Sequence, residues 1–400
     1  MVITCGSRAT PTIFPDERGL QRAFLSTHRV DGLTHRFYRH PARFSPMFVR
    51  HVIGELSEPG DTVLDPFMGG GTTIVEALAA GRLAAGLDIN GLSHFVTRVK
   101  TTPLSKRDAA EVVGWGYSIE HSAAVHSVSS HPYLDSRTKN LPDEMQWFFD
   151  AALSSIGLLR FPRQRRFARC VLLRVGQWAL DGRQHLPSTD EIRKKIVAEI
   201  TDMLNGLREF EIAARSAGVH KNKITGNRTL VSGSFSDPGN ILLNKVSGTP
   251  KLVLTSPPYP GVHVLYHRWQ VFGRRETPAP YWLADLRDGH GASHYTMGSR
   301  SSLGLRNYFD SLRRGFEMLR LVLSPDTIVV QLVAFSEATT QLPLYLDTLF
   351  AAGYEELHLQ DLQTSGGYVR MVPNRKWYTN GRDGDANREV LLVHRLRSAS

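Results

Sequence analysis

Read only for apolar and polar positions, the chain alternates short apolar runs with longer amphipathic stretches. Val63-Leu64 ends in Asp65, a glycine turn follows at positions 69 to 71, Ile74, Val75, Ala77 and Leu78 fall at helical spacing, and a second run ends in Asp88. This pattern predicts strand, tight turn, helix and strand. Further strands are expected near Leu230-Val231, at Leu252 to Leu254, Thr327 to Val333, Glu356 to Leu362 and Glu389 to His394. Ser45-Pro46 suits a helix start, and Met47, Val49, Val52, Ile53 and Leu56 continue it up to Pro59-Gly60. Helices are also expected over 308–323 and 342–352. The alternation predicts an α/β protein with a doubly wound, mostly parallel sheet and a ligand at the carboxyl ends of its strands.

Between positions 101 and 223 the pattern changes to mainly helical. Its strongest element opens with the capping box Ser188-Thr189-Asp190-Glu191 and carries Ile192, Ile196, Ile200, Met203, Leu204 and Leu207 on one face. The expected organisation is therefore an N-terminal part over 1–100, a large helical insertion over 101–223 and a C-terminal part over 224–400. A polar stretch over 262–306, rich in Gly, His, Ser and Arg, reads as a long irregular segment.

Composition narrows the function. A formal net charge of +10 and a 41% hydrophobic content describe a globular chain attracted to polyanions. Two cysteines, Cys5 and Cys170, supply neither a disulfide framework nor a usual zinc site, which fits a reducing cytoplasm. Neither follows a proline, which disfavours carbon-5 cytosine methylation, a chemistry that needs a cysteine nucleophile. No run approaches eighteen apolar residues, so no membrane partner is expected. The histidines at 121, 126, 131, 290 and 294 lack an accompanying carboxylate cluster, and no metal is expected.

Two short stretches carry the candidate chemistry. Glycines at 69 to 71 let backbone approach a ligand closely, and Asp88 at a strand tip is placed to accept hydrogen bonds from ribose hydroxyls. The loop Ser256-Pro257-Pro258-Tyr259 follows a strand. Its two prolines fix the backbone, so that Ser256 Oγ and the Pro257 carbonyl form pre-oriented acceptors for amine hydrogens, while Tyr259 offers a stacking face.

Together these stretches resemble the DNA amino-methyltransferases, whose cofactor motif Asp-Pro-Phe-x-Gly-x-Gly-Thr-Thr is filled at 65–73 and followed by Gly86-Leu87-Asp88-Ile89-Asn90. The resemblance covers roughly 35–100 and 228–400. It implies a Rossmann-like class I methyltransferase fold and S-adenosylmethionine as cofactor. Its implied cofactor residues are Phe44, Pro46, Asp65, Pro66, Phe67, Gly69, Gly71, Thr72, Thr73, Asp88 and Asn90. The sequence departs from the family pattern at Ser234, where an acid is usual, with Asp237 as a substitute nearby. The resemblance also implies a catalytic loop of Ser256, Pro257, Pro258 and Tyr259 acting on a base flipped out of double-stranded DNA. Serine at the first loop position is typical of cytosine N4 enzymes, with adenine N6 as the alternative and an RNA or protein substrate, or a non-catalytic nucleic-acid binder, as further ones. A restriction-enzyme partner belongs to the same expectation.

Two basic stretches are candidates for DNA contact. Arg160 to Arg169 contains five arginines and no acid, and Arg163, Arg165, Arg166 and Arg169 suit phosphate contact, the alternative being a solvated helix face. Tyr266, His267, Arg268 and Trp269 follow the catalytic loop closely enough to hold the flipped base and its neighbours.

Overall fold

The computed structural model describes residues 13–26, 30–40, 44–121, 135–236, 245–246, 248–260, 267–273, 275–288, 295–299, 301–358, 368–371 and 388–398. Tyr266, Asp237 and the histidines at 126, 131, 290 and 294 lie outside these residues.

The strands are β1 (Thr62–Asp65), β2 (Leu83–Asp88), β3 (Arg228–Ser232), β4 (Leu252–Thr255), β5 (Trp269–Val271), β6 (Arg275–Thr277), β7 (Ile328–Ala334), β8 (Tyr354–Glu356), β9 (Tyr368–Met371) and β10 (Arg388–Leu396). The main sheet runs β3-β2-β1-β4-β7-β10-β8, with β9 added on β10. Strands β3, β2, β1, β4 and β7 are parallel, and β10 enters antiparallel between β7 and β8. The parallel strands are short and apolar because both sheet faces are covered, and β1 and β4 are buried throughout. Strand order reverses between β1 and β4, which opens a crevice at their carboxyl ends. The sheet is the doubly wound, mostly parallel one that the apolar pattern predicts.

One face is covered by α1 (Glu17–Leu25), α2 (Pro46–Leu56) and α3 (Thr72–Ala79). Ser45 and Pro46 start α2 as expected, and Phe48, Val49, Val52, Ile53 and Leu56 form its buried stripe. A buried carboxylate clamps these helices together. Glu76 on α3 accepts from His35 Nε2 at 2.8 Å and from Arg50 Nε and Nη2 at 3.0 and 3.1 Å. Burial alone pushes the Glu76 carboxyl up, but the bonds from His35 and Arg50 outweigh it and hold the group below its ordinary range.

The chain continues through α4 (Gly91–Lys100) into α5 (Lys106–Glu120), α6 (Asp143–Ile156), α7 (Pro162–Leu180), α8 (Thr189–Ser216) and the short α9 (Lys221–Ile224). The capping box at Ser188 and Glu191 is formed, and Ile192, Ile196, Ile200, Met203 and Leu207 are buried along α8. The other face of the sheet carries α11 (Ser302–Leu319) and α12 (Ala338–Ala351). No helix among the described residues is long and apolar enough to cross a membrane.

The segment expected to be irregular over 262–306 differs from that expectation. Its described part holds the β5–β6 hairpin and α10 (Ala279–Ala284). Trp269, Val271, Tyr281 and Leu283 belong to the same apolar cluster as α5 to α8. Packing therefore joins this stretch to the helical block, across the boundary drawn at 224 from chain order. The polar residues flanking it concealed an apolar core of only a few positions.

Candidate active site

The crevice at the ends of β1, β2 and β4 is built by a glycine loop and the loop after β4. Backbone bonds shape the first: Met68 N donates to Leu87 O at 2.9 Å, and Gly71 N donates to Met68 O at 2.7 Å. Gly69 and Gly71 take φ of +45° and +74°, in the left-handed region that favours glycine. A Cβ at Gly71 would lie 2.3 Å from Thr97 Oγ1, so this position also needs glycine for space. Lys100, buried at the end of α4, donates from Nζ to Gly70 O at 2.5 Å.

Asp88 closes the loop from the side. Its Oδ2 accepts from Gly69 N and its Oδ1 from Asn90 N, each at 2.8 Å. Burial pushes its carboxyl up to about 6, against these stabilising bonds. Asn90 caps α4 by accepting from Leu92 N at 2.9 Å, and Tyr281 donates to the same oxygen at 3.2 Å. The buried Asn90 Nδ2 has no hydrogen-bond partner among the described residues. That orphaned donor beside an acid and a glycine cradle fits a nucleoside bearing hydroxyls and ring nitrogens. The loop after β3 joins the same edge, with Gly233 N donating to Asp88 O at 2.9 Å. Ser234 there bonds to Ser236 across 3.2 Å.

Asp65 ends β1 at the crevice. It is 3% exposed, and its Oδ1 accepts from Phe67 N at 3.1 Å and from Thr255 Oγ1 at 2.7 Å. Burial pushes it up to about 6, opposed by the bonds from Thr255, Thr73 and Phe67. Thr73 also donates to Leu254 O at 3.3 Å, which ties the start of α3 directly to β4. Pro66 sits in the turn, Thr72 is the first residue of α3, and Phe67 packs against Phe235 at 4.5 Å between ring centroids. Phe44 is buried against Phe48, with centroids 6.1 Å apart, and Pro46 is buried at the first position of α2. Phe44 belongs to the same apolar cluster as Met68 of the glycine loop.

Ser256, Pro257, Pro258 and Tyr259 leave β4 directly beside the glycine loop, with Ser256 and Tyr259 half-buried. Tyr259 donates from its hydroxyl to Glu389 Oε1 at 3.0 Å. Arg370, opposite Glu389 on β9, bonds to Glu389 Oε2 through Nε at 2.9 Å and Nη2 at 2.5 Å. Sequence reasoning missed Thr255, Lys100 and Glu389, since each acts through a partner far along the chain.

The residues expected to contact DNA divide into two groups. Trp269 is wholly buried, its indole nitrogen donating to Tyr38 Oη at 3.1 Å. This corrects its expected place beside the flipped base, because a glycine in α7, Gly176, leaves room for the ring to enter the core. A Cβ at Gly176 would come within 2.6 Å of that ring. His267 is also buried, against Tyr295 and Tyr281, and Arg268 is paired with Asp288 and only 12% exposed. Neither presents a free face to solvent. Along α7, Arg163 Nε bonds to buried Asp108 at 2.7 Å and Arg165 Nε to Leu159 O at 2.7 Å. Arg169 bonds to Leu283 O at 3.0 Å and pairs with Asp285 at 3.6 Å. Arg166 has no such partner among the described residues.

A doubly wound sheet with a glycine loop and an acid at adjoining strand ends defines a protein of the nucleotide-pocket class. Residues 12–93 match the family model described as DNA methylase. The chain is 32% identical over 145 residues to the type II methyltransferase M.MvaI of Kocuria varians, a match spanning 34% of this chain and 30% of that protein. It is 40% identical over 62 residues to the DNA adenine methyltransferase YhdJ of Escherichia coli K12, across 16% of this chain and 21% of the relative. These matches support the DNA amino-methyltransferase family, and each spans less than a third of the relative's length. TrmN from Thermus thermophilus aligns over 89% of this chain and 50% of its own at 12% identity and a TM-score of 0.30.

Proposed function

We propose that the protein is an S-adenosylmethionine-dependent DNA methyltransferase that modifies the N4 amine of cytosine. The observation that carries the reading is the junction of two motif loops, the glycine loop at Asp65 and the Ser256 loop, through the Thr255 hydroxyl at 2.7 Å. When bound, the cofactor supplies an electrophilic methyl group on a sulfonium. Gly69 and Gly71 leave backbone open to it, Asp88 accepts from its ribose, Asn90 Nδ2 supplies a donor, and the first turn of α3 at Thr72 and Thr73 offers free N–H groups to its carboxylate. Phe44, Pro46, Pro66 and Phe67 shape the apolar walls and the turn around that site.

An exocyclic amine is weakly nucleophilic because its lone pair is delocalised into the ring. Ser256 Oγ and the Pro257 carbonyl accept hydrogen bonds from its two N–H groups, which draws the nitrogen towards a tetrahedral state with its lone pair free for the methyl group, and the proton that the methylated nitrogen sheds passes to solvent. Pro257 and Pro258 hold both acceptors in place before the base arrives, so little reorganisation is left for the reaction itself. Tyr259, its hydroxyl held by Glu389, stacks on the base and faces the positive charge that develops. A base within a duplex cannot reach this loop, so it is flipped out at a cost of a few kcal/mol.

Methylation of adenine N6 is the second reading, favoured by the similarity to the adenine methyltransferase YhdJ. Mass spectrometry of nucleosides from DNA incubated with protein and cofactor separates the two. Methylated cytosine at N4 is the expected product; N6-methyladenine selects the second reading, and label confined to RNA or protein overturns both.

A further inference from the structure

Along the outer side of α4 two adjoining hollows of about 500 and 520 Å³ share His94 and Arg98 in their walls. The first lies against the start of α7 and brings in Arg165, Arg166 and Arg169; the second lies against β3 and brings in Arg228 and Lys245. Asp285 is the one acid among these lining residues, and it already faces Arg169 at 3.6 Å. Arg98, Arg166 and Lys245 have no carboxylate partner among the described residues.

The fold holds these cations together. Arg228 is fixed by bonds to Arg98 O at 3.0 Å and Thr102 Oγ1 at 3.0 Å, which cap the end of α4. The first turn of α7 has buried Asp108 bonded to Arg163 and Gln164, which leaves Arg165, Arg166 and Arg169 as the cations that α7 turns to the hollow. Burial pushes Arg228 down to about 10, with Arg98 and Arg166 pressing in the same direction. Placing like charges side by side opposes folding, and a polyanion seated among them removes that repulsion.

We propose that this trough holds the phosphodiester backbone of nucleic acid on the flank of the sheet, beside the transfer pocket and separate from it. The proposal rests on the nucleic-acid reading above and moves the main phosphate contacts from Arg163 and Arg165, whose guanidinium groups are engaged within the protein, to Arg98, Arg166 and Lys245. At about 1.5 Å per residue α4 is about 15 Å long, which corresponds to about four base-pair steps along the axis of a duplex. Leu286 packs near Gly91 at the head of α4, so the trough begins close to the cofactor edge and leads away from it.

The test is the double variant Arg98→Ala/Arg166→Ala, with fluorescence anisotropy of a labelled duplex measured across a salt series. The expected result is a slope of log affinity against log salt shallower by about two, with equal loss for all sequences. The Arg98→Lys/Arg166→Lys variant should restore the slope, and calorimetry should give unchanged cofactor affinity for both. Duplex binding with an unchanged slope overturns the trough alone. So does displacement of the duplex by inorganic phosphate at an equal concentration of phosphate groups, which marks a site for a small free anion. Absence of any duplex binding by the unaltered protein overturns the nucleic-acid reading and the trough with it.

Discussion

Asp65 and Thr255, 190 positions apart, are joined by a 2.7 Å hydrogen bond in which the threonine hydroxyl donates to the buried carboxylate. Removing the donor leaves a buried acceptor short of a partner. Thr255→Val should therefore cost about 1 to 3 kcal/mol in denaturant unfolding. Because Thr255 is the last residue of β4, the same change should lower turnover more than it weakens cofactor binding. Equal loss in both would show that the bond serves stability alone.

Asp88 supplies a pH prediction. Its carboxyl is raised from 3.8 to about 6 by burial, so its contribution to the stability of the unliganded protein is complete below about 3.8 and is lost as pH rises through about 6. With the ribose at Asp88, as proposed, cofactor binding runs the other way, since the ribose hydroxyls need the ionised form. Affinity should fall roughly tenfold per pH unit below about 6, without unfolding caused by this group. Asp88→Asn should weaken binding at least about tenfold at neutral pH and flatten the profile. Calorimetry at several pH values checks both, and a profile unchanged in the variant would transfer the dependence to Asp65.

Ser256→Ala and Tyr259→Ala should lose turnover while keeping cofactor affinity, because both residues are assigned to the base. Glu389→Gln should preserve the cofactor site and lower turnover less than Tyr259→Ala, since it weakens only the hold on the tyrosine hydroxyl. Single-turnover kinetics beside calorimetry separate these effects. Full turnover in Ser256→Ala would mean that another group accepts the amine hydrogen.

Trp269→Ala should behave as a core mutation, costing about 3 to 5 kcal/mol. It empties the space over Gly176 and frees the hydroxyl of Tyr38 from its partner. Thermal unfolding tests this directly. A selective loss of turnover at unchanged stability would restore the role at the base that the aromatic and basic run around it suggested.

The legible parts of this protein are those whose causes are local. The glycine loop, Asp88 and the capping box of α8 each follow from residues within a few positions of one another, and the apolar runs of β4 and β7 mark buried parallel strands by composition alone. Thr255, Lys100 and Glu389 were illegible because their partners are brought near only by the sheet. Trp269 misled for a related reason: in sequence it stands beside His267 and Arg268, while its environment is set by α7. A signal did exist, since glycine within a helix costs about 1 kcal/mol relative to alanine and marks close packing, and Gly176 is such a position. The arginine run on α7 was read as one surface, although its side chains divide between buried Asp108, backbone carbonyls and the trough.

The insertion of β10 between β7 and β8 gives the chain an order of completion. Both neighbours are synthesised before it, so each waits with an open edge until the segment from Arg388 has emerged. Pairing across such a separation is slow, and unpaired edges are vulnerable to association with other chains. Glu389 arrives on that same strand. A nascent chain can thus close its glycine loop well before Tyr259 gains its anchor on Glu389, and on the proposed reading cofactor present during refolding should stabilise an intermediate that does not yet transfer methyl groups.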